Sequence, residues 1–293
     1  MKILAVVIPY YKRTFFRETL ESLASQTDQR FTVYIGDDAS SENPEELLKE
    51  FEGKFNFVYK KFEENLGRIS LTKQWDRCIE MMQGEEWFMI LGDDDYLGKN
   101  VVEEYYRNLE IAEIKIISVI KMNSAIVNEK GTVLLEKKPE PLIKSSVEHF
   151  FDKFIHEGRS SLSEHIFRKS QYEKYGFADF PVAWHSDDLA LLELSEFGKI
   201  LFLKEAKCFV RISPESITGQ QNANVKEKTH ATKLFFERIS GNLDKFKPNE
   251  KRKLFDIIQW YEKSKEINIK IPYKVFEYYQ CYGFIKTLKL FLS

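Results

Sequence analysis

Over its first 120 residues the chain switches repeatedly between two hydrophobic periods, and this rhythm limits its folds more than any other feature. Ile3 to Ile8 is an unbroken apolar run rich in β-branched residues, as a strand covered on both faces should be. Phe15 to Ala24 follows, with Phe16, Leu20 and Leu23 about one helical turn apart. Phe31 to Ile35 reads as a second strand, and Pro44 opens a second helix at its first turn, where a missing N–H costs nothing. A strand at Phe55 to Tyr59, a helix at Leu71 to Met82 and a strand at Trp87 to Leu91 continue the series. Asn100 stands where it would cap a fourth helix, and Ile114 to Ile120 reads as a fifth strand. Strands and helices that alternate over short connections predict an α/β fold with a mostly parallel central sheet flanked by helices.

After Val133 the rhythm breaks. Pro139 and Pro141 bracket a loop, and the chain as far as about Ile212 mixes short strands with short helices that would close over the sheet edge. The polar stretch from Pro214 to Asn224 has loop composition. From His230 to Ser293 the chain is helical, aromatic and basic, with 13 Lys plus Arg against 7 Asp plus Glu. We therefore divide the chain into 1–225 and a C-terminal helical extension, 226–293.

The whole chain of 293 residues carries 44 Lys plus Arg and 46 Asp plus Glu, a formal net charge of -2. That balance argues against a nucleic-acid binder driven by phosphate contacts. Cys78, Cys208 and Cys281 lie far apart, with neither a disulfide framework nor a CxxC metal pair, which fits a reducing compartment. The opening apolar run, closed by Pro9, is too short for a signal-peptide core, and no window reaches the length of a membrane span. The expectation is a soluble protein, at most peripheral to a membrane.

In an open parallel sheet, ligands bind beyond the carboxyl ends of the strands. Strand one ends in Pro9-Tyr10-Tyr11-Lys12-Arg13, strand two in Gly36-Asp37-Asp38-Ala39-Ser40, and strand four in Gly92-Asp93-Asp94-Asp95. Asn65-Leu66-Gly67-Arg68 follows strand three. Three adjacent carboxylates repel one another near a low-dielectric sheet, and a hard divalent cation such as Mg²⁺ or Mn²⁺ would relieve them; a solvated acidic turn is the alternative. Asp37-Asp38 reads either as a turn before Pro44 or as an acceptor for a pyrimidine N–H or a ribose hydroxyl. Lys12, Arg13 and Arg68 bring cations suited to a diphosphate to the same rim. Further on, His185-Ser186-Asp187-Asp188 precedes an apolar helix. It offers either an N-cap at Ser186 or Asp187, or a carboxylate able to take a proton from an alcohol. Trp184 either walls a sugar face or belongs to the core, and His149, His156, His165 and His230 show no ligand spacing.

In order along the chain, these segments resemble the inverting glycosyltransferases of family 2, which have the GT-A fold. The resemblance runs from Val6 to about Thr218. Val6-Val7-Ile8-Pro9-Tyr10-Tyr11 is similar to the family's opening V-x-I-P-x-Y/N, and Thr19-Leu20-Glu21-Ser22-Leu23-Ala24-Ser25-Gln26-Thr27 to its S-L-x-x-Q-T helix. Gly36-Asp37-Asp38-Ala39-Ser40 resembles V-D-D-x-S, and Asn65-Leu66-Gly67 resembles N-x-G. Leu91-Gly92-Asp93-Asp94-Asp95 is similar to the strand end that carries the DxD motif. Tyr175-Gly176-Phe177 and Asp187-Asp188-Leu189 resemble the acceptor-side G-x-F and E-D motifs.

The resemblance implies a nucleotide-sugar-binding half at 1–120 and an acceptor-side half at 121–225. It implies that Pro9, Tyr10, Tyr11 and Arg13 border the base of a nucleotide-sugar donor, with Asp38 on its N–H edge. Arg68 would approach the base or the diphosphate. Asp93 would touch the ribose, and Asp94 would bind Mn²⁺ or Mg²⁺. Asp188 would be the catalytic base of a single displacement onto a glycan or lipid-linked acceptor. UDP is the commonest donor nucleotide in the resemblance, and bacterial polysaccharide assembly in the cytoplasm, with or without contact to the inner membrane face, is the setting it suggests.

Three positions depart from the pattern. Gly92 stands where the first Asp of DxD often falls, so the metal register can be Asp93/Asp94 or Asp93/Asp95. Asp187 replaces a Glu. Val210-Arg211-Ile212-Ser213 stands in place of Y-R-x-H, so that Arg211 or Ser213 would have to make the contact of the missing His. Two other readings compete: a non-catalytic nucleotide or glycan binder on the same fold, and a nucleotidyltransferase, which would want a Gly-rich loop where Pro9-Tyr10-Tyr11 stands. The extension, with Phe276, Tyr278, Tyr279, Tyr282, Phe284, Leu288, Leu290, Phe291 and Leu292 among Lys274, Lys286 and Lys289, reads either as a helical cap on the catalytic domain or a second subunit, or as a surface for an anionic bilayer.

Overall fold

The computed structural model describes residues 4–136, 140–156, 158–214, 216, 219, 223–272, 274–283 and 287. The readings placed on Ile3, Pro139, Thr218, Phe284, Lys286, Leu288, Lys289, Leu290, Phe291 and Leu292 lie outside these residues.

The strands are β1 (Leu4–Tyr10), β2 (Phe31–Asp37), β3 (Asn56–Lys61), β4 (Trp87–Ile90), β5 (Tyr96–Leu97), β6 (Val119–Val127), β7 (Val133–Glu136), β8 (Ile143–Ser145), β9 (His165–Arg168) and β10 (Lys199–Arg211). The helices are α1 (Phe16–Ala24), α2 (Glu45–Lys49), α3 (Leu71–Ile79), α4 (Val101–Ile114), α5 (Ser146–Ile155), α6 (Lys169–Tyr175), α7 (Ser186–Leu194), α8 (Val225–Ser240), α9 (Pro248–Lys265) and α10 (Lys274–Tyr282). All ten strands join one sheet in the order β3-β2-β1-β4-β9-β6-β10-β5, with β7 added beside β6 and β8 beside β10.

β3, β2, β1 and β4 pair in parallel. β9 is antiparallel to both β4 and β6, and β10 is parallel to β6. The expected α/β architecture is therefore observed, with β1, β2, β3, β4, β6 and β10 running in one direction. Their carboxyl ends share one rim.

Period-two alternation divides the core. Leu4, Val6, Ile8, Trp87 and Met89 face a cluster completed by α1, α2 and α4, while Ala5, Val7, Phe88 and Ile90 face a second cluster. The second cluster is completed by α3, α5, α7 and the C-terminal helices, through Phe235, Phe236, Leu254, Phe255, Ile258 and Tyr278. The extension thus covers one face of the sheet.

Two local expectations differ from the structure. Ile114 and Ile116 do not belong to a strand: Ile114 ends α4, both are exposed, and Ile116 adopts φ 54°, so β6 starts only at Val119. That apolar run is a solvent-facing helix exit followed by a buried strand. Asn100 holds the N-cap position of α4 but makes no side-chain cap hydrogen bond; its Nδ2 donates to the Glu205 carbonyl at 2.9 Å. Ser70 does cap α3, accepting from Lys73 N at 3.2 Å, and Asp179 accepts hydrogen bonds from both Ser70 and Thr72.

Gly36 lies where a Cβ would overlap Cys78 Sγ and come within 2.9 Å of Phe62. Gly36→Ala should cost about 1–3 kcal/mol, and Cys78→Ala in the same background should recover part of it; paired thermal melts measure both. Phe255→Ala should cost about 3–5 kcal/mol, lowering the melting temperature of the whole catalytic unit if the extension shares its core.

Candidate active site

The rim formed by the strand ends opens into a cavity of about 890 Å³. Its floor is the turn after β4. Asp95 is buried; its Oδ2 accepts from the Ser163 hydroxyl at 2.6 Å and its Oδ1 from Arg211 N at 2.8 Å. Asp93 Oδ2 accepts from the backbone N–H groups of Tyr11 and Lys12 at 2.7 and 2.8 Å.

Helix α1 and the residues just after it brace this turn: Thr19 Oγ1 donates to Asp95 O at 2.7 Å, Leu97 N donates to Ser22 Oγ at 3.1 Å, and Gln26 Nε2 donates to Gly98 O at 2.8 Å. The polar residues of the Thr19–Thr27 segment thus serve the carboxylate turn from behind. A Cβ at Gly92 would come within 2.9 Å of Asp94 Oδ1, so Gly92 leaves the crowded carboxylates their room.

Burial, followed by the negative charge of Asp94, pushes Asp93 up to about 7 and Asp95 up to about 8. Among the described residues no group of three His, Cys, Asp or Glu side chains forms a closed metal site. One or two of these carboxylates would suit an ion such as Mg²⁺ or Mn²⁺, which fills the rest of its shell with water and phosphate oxygens. Asp94 and Asp95 would hold it, and its charge would offset the crowding that raises the neighbouring carboxyl groups.

The wall on the β1–β3 side carries Pro9, Tyr11, Lys12, Asp38, Asn65, Gly67 and Arg68. Asp38 accepts from Leu66 N at 2.7 Å and from Gly67 N at 2.9 Å, and it pairs with Arg77 of α3. Its carboxyl is nonetheless shifted upward by burial. A Cβ on residue 67 would lie 2.5 Å from Asp38 Oδ2, which explains the glycine. Asp37 is turned into the loop, accepting from Ser40 N and the Tyr59 hydroxyl, each at 2.7 Å.

Tyr10 and Arg13 are not among the lining residues. The Tyr10 ring is buried 4.7 Å from Phe16 and its hydroxyl donates to the Glu42 carbonyl. Arg13 is exposed, its backbone N–H donating to Glu42 Oε2.

Arg211 does not face the cavity as a free cation. Its guanidinium donates to the carbonyls of Asp94, Asn128 and Glu129, pairs with Glu18, and lies 4.2 Å over the Phe15 ring. It is a clamp on the carboxylate turn. Ser213 is buried at the cavity edge.

The opposite wall comes from α5, the segment before β9, and the N-terminus of α7: Lys153, Arg159, Ser160, Ser163, Glu164, Trp184, His185, Asp187 and Asp188 line it, with Trp75 from α3. Asp188 is buried, pairs with Lys153, and accepts from His185 Nδ1 at 2.8 Å. Burial opposes its charge, but Lys153 and His185 outweigh that and hold the carboxyl below the usual range. Burial and the charge of Asp188 push Asp187 up to about 7. Neither Ser186 nor Asp187 is the N-cap; His185 takes that position in left-handed conformation, φ 70°, beside Val182 at 50° and Ala183 at 52°. For a β-branched residue such a φ is costly, and strain of this kind gathers at functional sites.

The sequence reading missed Trp75, Arg77, Lys153 and the Arg159–Glu164 segment. Lys153 alone left a signal: it lies three residues after Phe150 on the aromatic face of α5.

The family described as Glycosyl transferase family 2 matches residues 5–160, more than half of the chain. Glycosyltransferase GlyG of Streptococcus pneumoniae serotype 4 is 26% identical over 117 residues, a match spanning 40% of this chain and 38% of that protein. Among solved structures, TarS 1-349 of S. aureus in complex with UDP-GlcNAc aligns with a TM-score of 0.69 at 16% identity, over 90% of this chain and 73% of that one. The same protein in complex with UDP gives 0.66 at 16% identity, over 89% and 72%. At such identities the structural likeness speaks for the fold.

Because Asp93 and Asp95 bind protons more tightly when folded than unfolded, their contribution to stability is full below about pH 4 and is lost as pH rises through about 7 and 8. Thermal melts from pH 5 to 9 should show a falling melting temperature, with a smaller fall in Asp95→Asn and in the presence of Mn²⁺.

Proposed function

The chain belongs to glycosyltransferase family 2, and from that premise we propose that it is an inverting glycosyltransferase moving a sugar from a nucleotide-diphosphate donor, a UDP-sugar, to a hydroxyl of a glycan or lipid-linked saccharide. The observation that carries this reading is a single cavity with carboxylates on opposing walls: Asp38, Asp93, Asp94 and Asp95 at the strand ends, Asp188 across from them. The choice of UDP is supported by the solved structures of this fold that hold UDP and UDP-GlcNAc.

In this reading Pro9 and Tyr11 border the base, with Tyr10 and Arg13 supporting them from behind, and Asp38 accepts from the base's N–H edge. Asp93 meets the ribose. Lys12 and Arg68 face the diphosphate. A Mn²⁺ or Mg²⁺ ion at Asp94, with Asp95 behind it, would supply charge to offset that growing on the departing diphosphate. Asp188 takes the proton of the acceptor hydroxyl as its oxygen attacks the anomeric carbon and the bond to the diphosphate breaks. One displacement with one base and no enzyme nucleophile inverts the anomeric centre.

No helix among the described residues is long and apolar enough to cross a membrane. Work from the cytoplasm, with peripheral contact to a bilayer through the basic C-terminal segment or association with a second copy, completes the proposal.

Thermal melts with UDP, GDP, dTDP and CDP, each with and without Mn²⁺, test the donor. A ligand at about 100 times its Kd adds about 2.7 kcal/mol, a rise of several degrees. A cation-dependent rise with UDP is expected, and no rise with any nucleotide would overturn the donor assignment. Asp94→Asn should remove the dependence on the cation. Asp188→Asn should keep the UDP response while cutting transfer about 10²–10⁴-fold; transfer at the wild-type rate would move the base elsewhere.

A further inference from the structure

Asp188 is held at both ends of its carboxylate. Oδ1 accepts from Lys153 Nζ on α5, and Oδ2 accepts from His185 Nδ1 at 2.8 Å. A carboxylate offers about four acceptor positions, so two remain for the cavity that Asp188 lines.

His185 is itself held from outside the catalytic wall. Its Nε2 is 3.2 Å from the hydroxyl of Thr232, and its ring stacks on Phe235 at 4.7 Å with 18° between the planes. Both partners belong to α8. Phe154, next to Lys153, covers the ring from α5 at 5.6 Å. The backbone of His185 is strained into the left-handed region, a conformation that persists only where the surroundings enforce it.

We propose that Lys153 and His185 are positioning residues that fix Asp188 for proton transfer, and that Thr232 and Phe235 of α8 fix His185, which makes the C-terminal segment a working part of the active site. This rests on the reading of Asp188 as the base. An imidazole can donate to a carboxylate only through a protonated Nδ1, so His185 is held as the Nδ1–H tautomer. Its second nitrogen then accepts, and shares the Thr232 hydroxyl proton with the Lys228 carbonyl, which that hydroxyl also meets at 2.8 Å.

The charged and titratable groups around Asp188 are Lys153 on α5, Asp187 and His185 beside it, and Tyr261 on α9; Glu164 acts on Lys153 and Lys121 on Asp187. Burial keeps His185 below its ordinary 6.5, so the ring is neutral at pH 7. Lys153, although burial opposes its charge, is kept protonated by the two aspartates.

The test uses the full chain and two readouts. Imidazole ¹⁵N spectra, with the signal assigned through His185→Asn because Asn also accepts positive φ, should show His185 as the Nδ1–H tautomer titrating below 6.5. Lys153→Met should raise that titration point, since a cation is removed, and Asp188→Asn should lower it. The second readout is UDP release from UDP-GlcNAc. Losing one charge-assisted hydrogen bond predicts a kcat reduced about 10–100-fold in Lys153→Met and about 10-fold in Thr232→Val, with KM for the donor unchanged. Lys153→Arg should restore most of the rate.

An Nε2–H tautomer titrating at the ordinary value in every variant would overturn the proposal, as would kcat values for Lys153→Met and Thr232→Val within twofold of wild type alongside a dead Asp188→Asn. UDP release that survives Asp188→Asn would instead overturn the reading of Asp188 as base, and the catalytic role of the clamp with it.

Discussion

Everything in this molecule is arranged around the difficulty of keeping three consecutive carboxylates at the end of a buried strand. Asp93, Asp94 and Asp95 repel one another where water is scarce, and no single element could hold them. The turn is gripped from three directions: by hydroxyl groups of α1 and the Gln26 amide just after it, by the Ser163 hydroxyl from the segment before β9, and by the backbone and guanidinium of Arg211 at the end of β10. Hydrogen bonds that involve a charged group are each worth about 1.5–3 kcal/mol, and those of Ser163 and Arg211 to Asp95 join parts of the chain 68 and 116 residues apart. The site is therefore a product of the complete sheet and not of the first strands alone.

Much of the parallel half was legible because its signals are local. β-branched runs, Pro44 before a helix, and polar residues straight after each run can be read in windows of ten residues. The same locality explains what was misread. Ile114 and Ile116 look like strand until their exposure is known, and Asn100 looks like a cap until Glu205, far along the chain, takes its amide. Tyr10 and Tyr11 are adjacent in sequence, yet strand alternation sends one ring into the core and leaves the other at the cavity. In the sequence, Arg211 or Ser213 stands in for a missing His, and both line the cavity. The partners of Arg211, Glu18, Asn128 and Glu129, were invisible without the sheet order, and they turn it into a structural clamp. Arg77, Lys153 and the Arg159–Glu164 segment carry no motif, and only packing brings Arg77 to Asp38, Lys153 to Asp188 and Ser163 to Asp95.

The C-terminal helices show the same dependence from the other side. Composition marks them as aromatic and basic, which suits several roles. The structure packs part of those aromatics on one face of the sheet, where Phe235, Phe236 and Phe246 meet Phe150, Phe151, Phe154 and Phe197 and Phe255 stacks on Tyr278, while Trp260, Phe276 and Tyr279 stay exposed. The ring that α8 presses against His185 is part of this same layer.

The place of β9 has a consequence for how the protein is made. Its four residues, His165–Arg168, are the only link in the described sheet between β4 and β6. Until they leave the ribosome, β4 presents Trp87-Phe88-Met89-Ile90 as an open, wholly apolar edge. Such edges recruit strands from other chains. During synthesis the first half of the molecule therefore has to wait, with its most adhesive strand uncovered, for a short antiparallel segment encoded some seventy-five positions later, and the step that closes the sheet also brings the cavity-lining Ser163 and Glu164 into place.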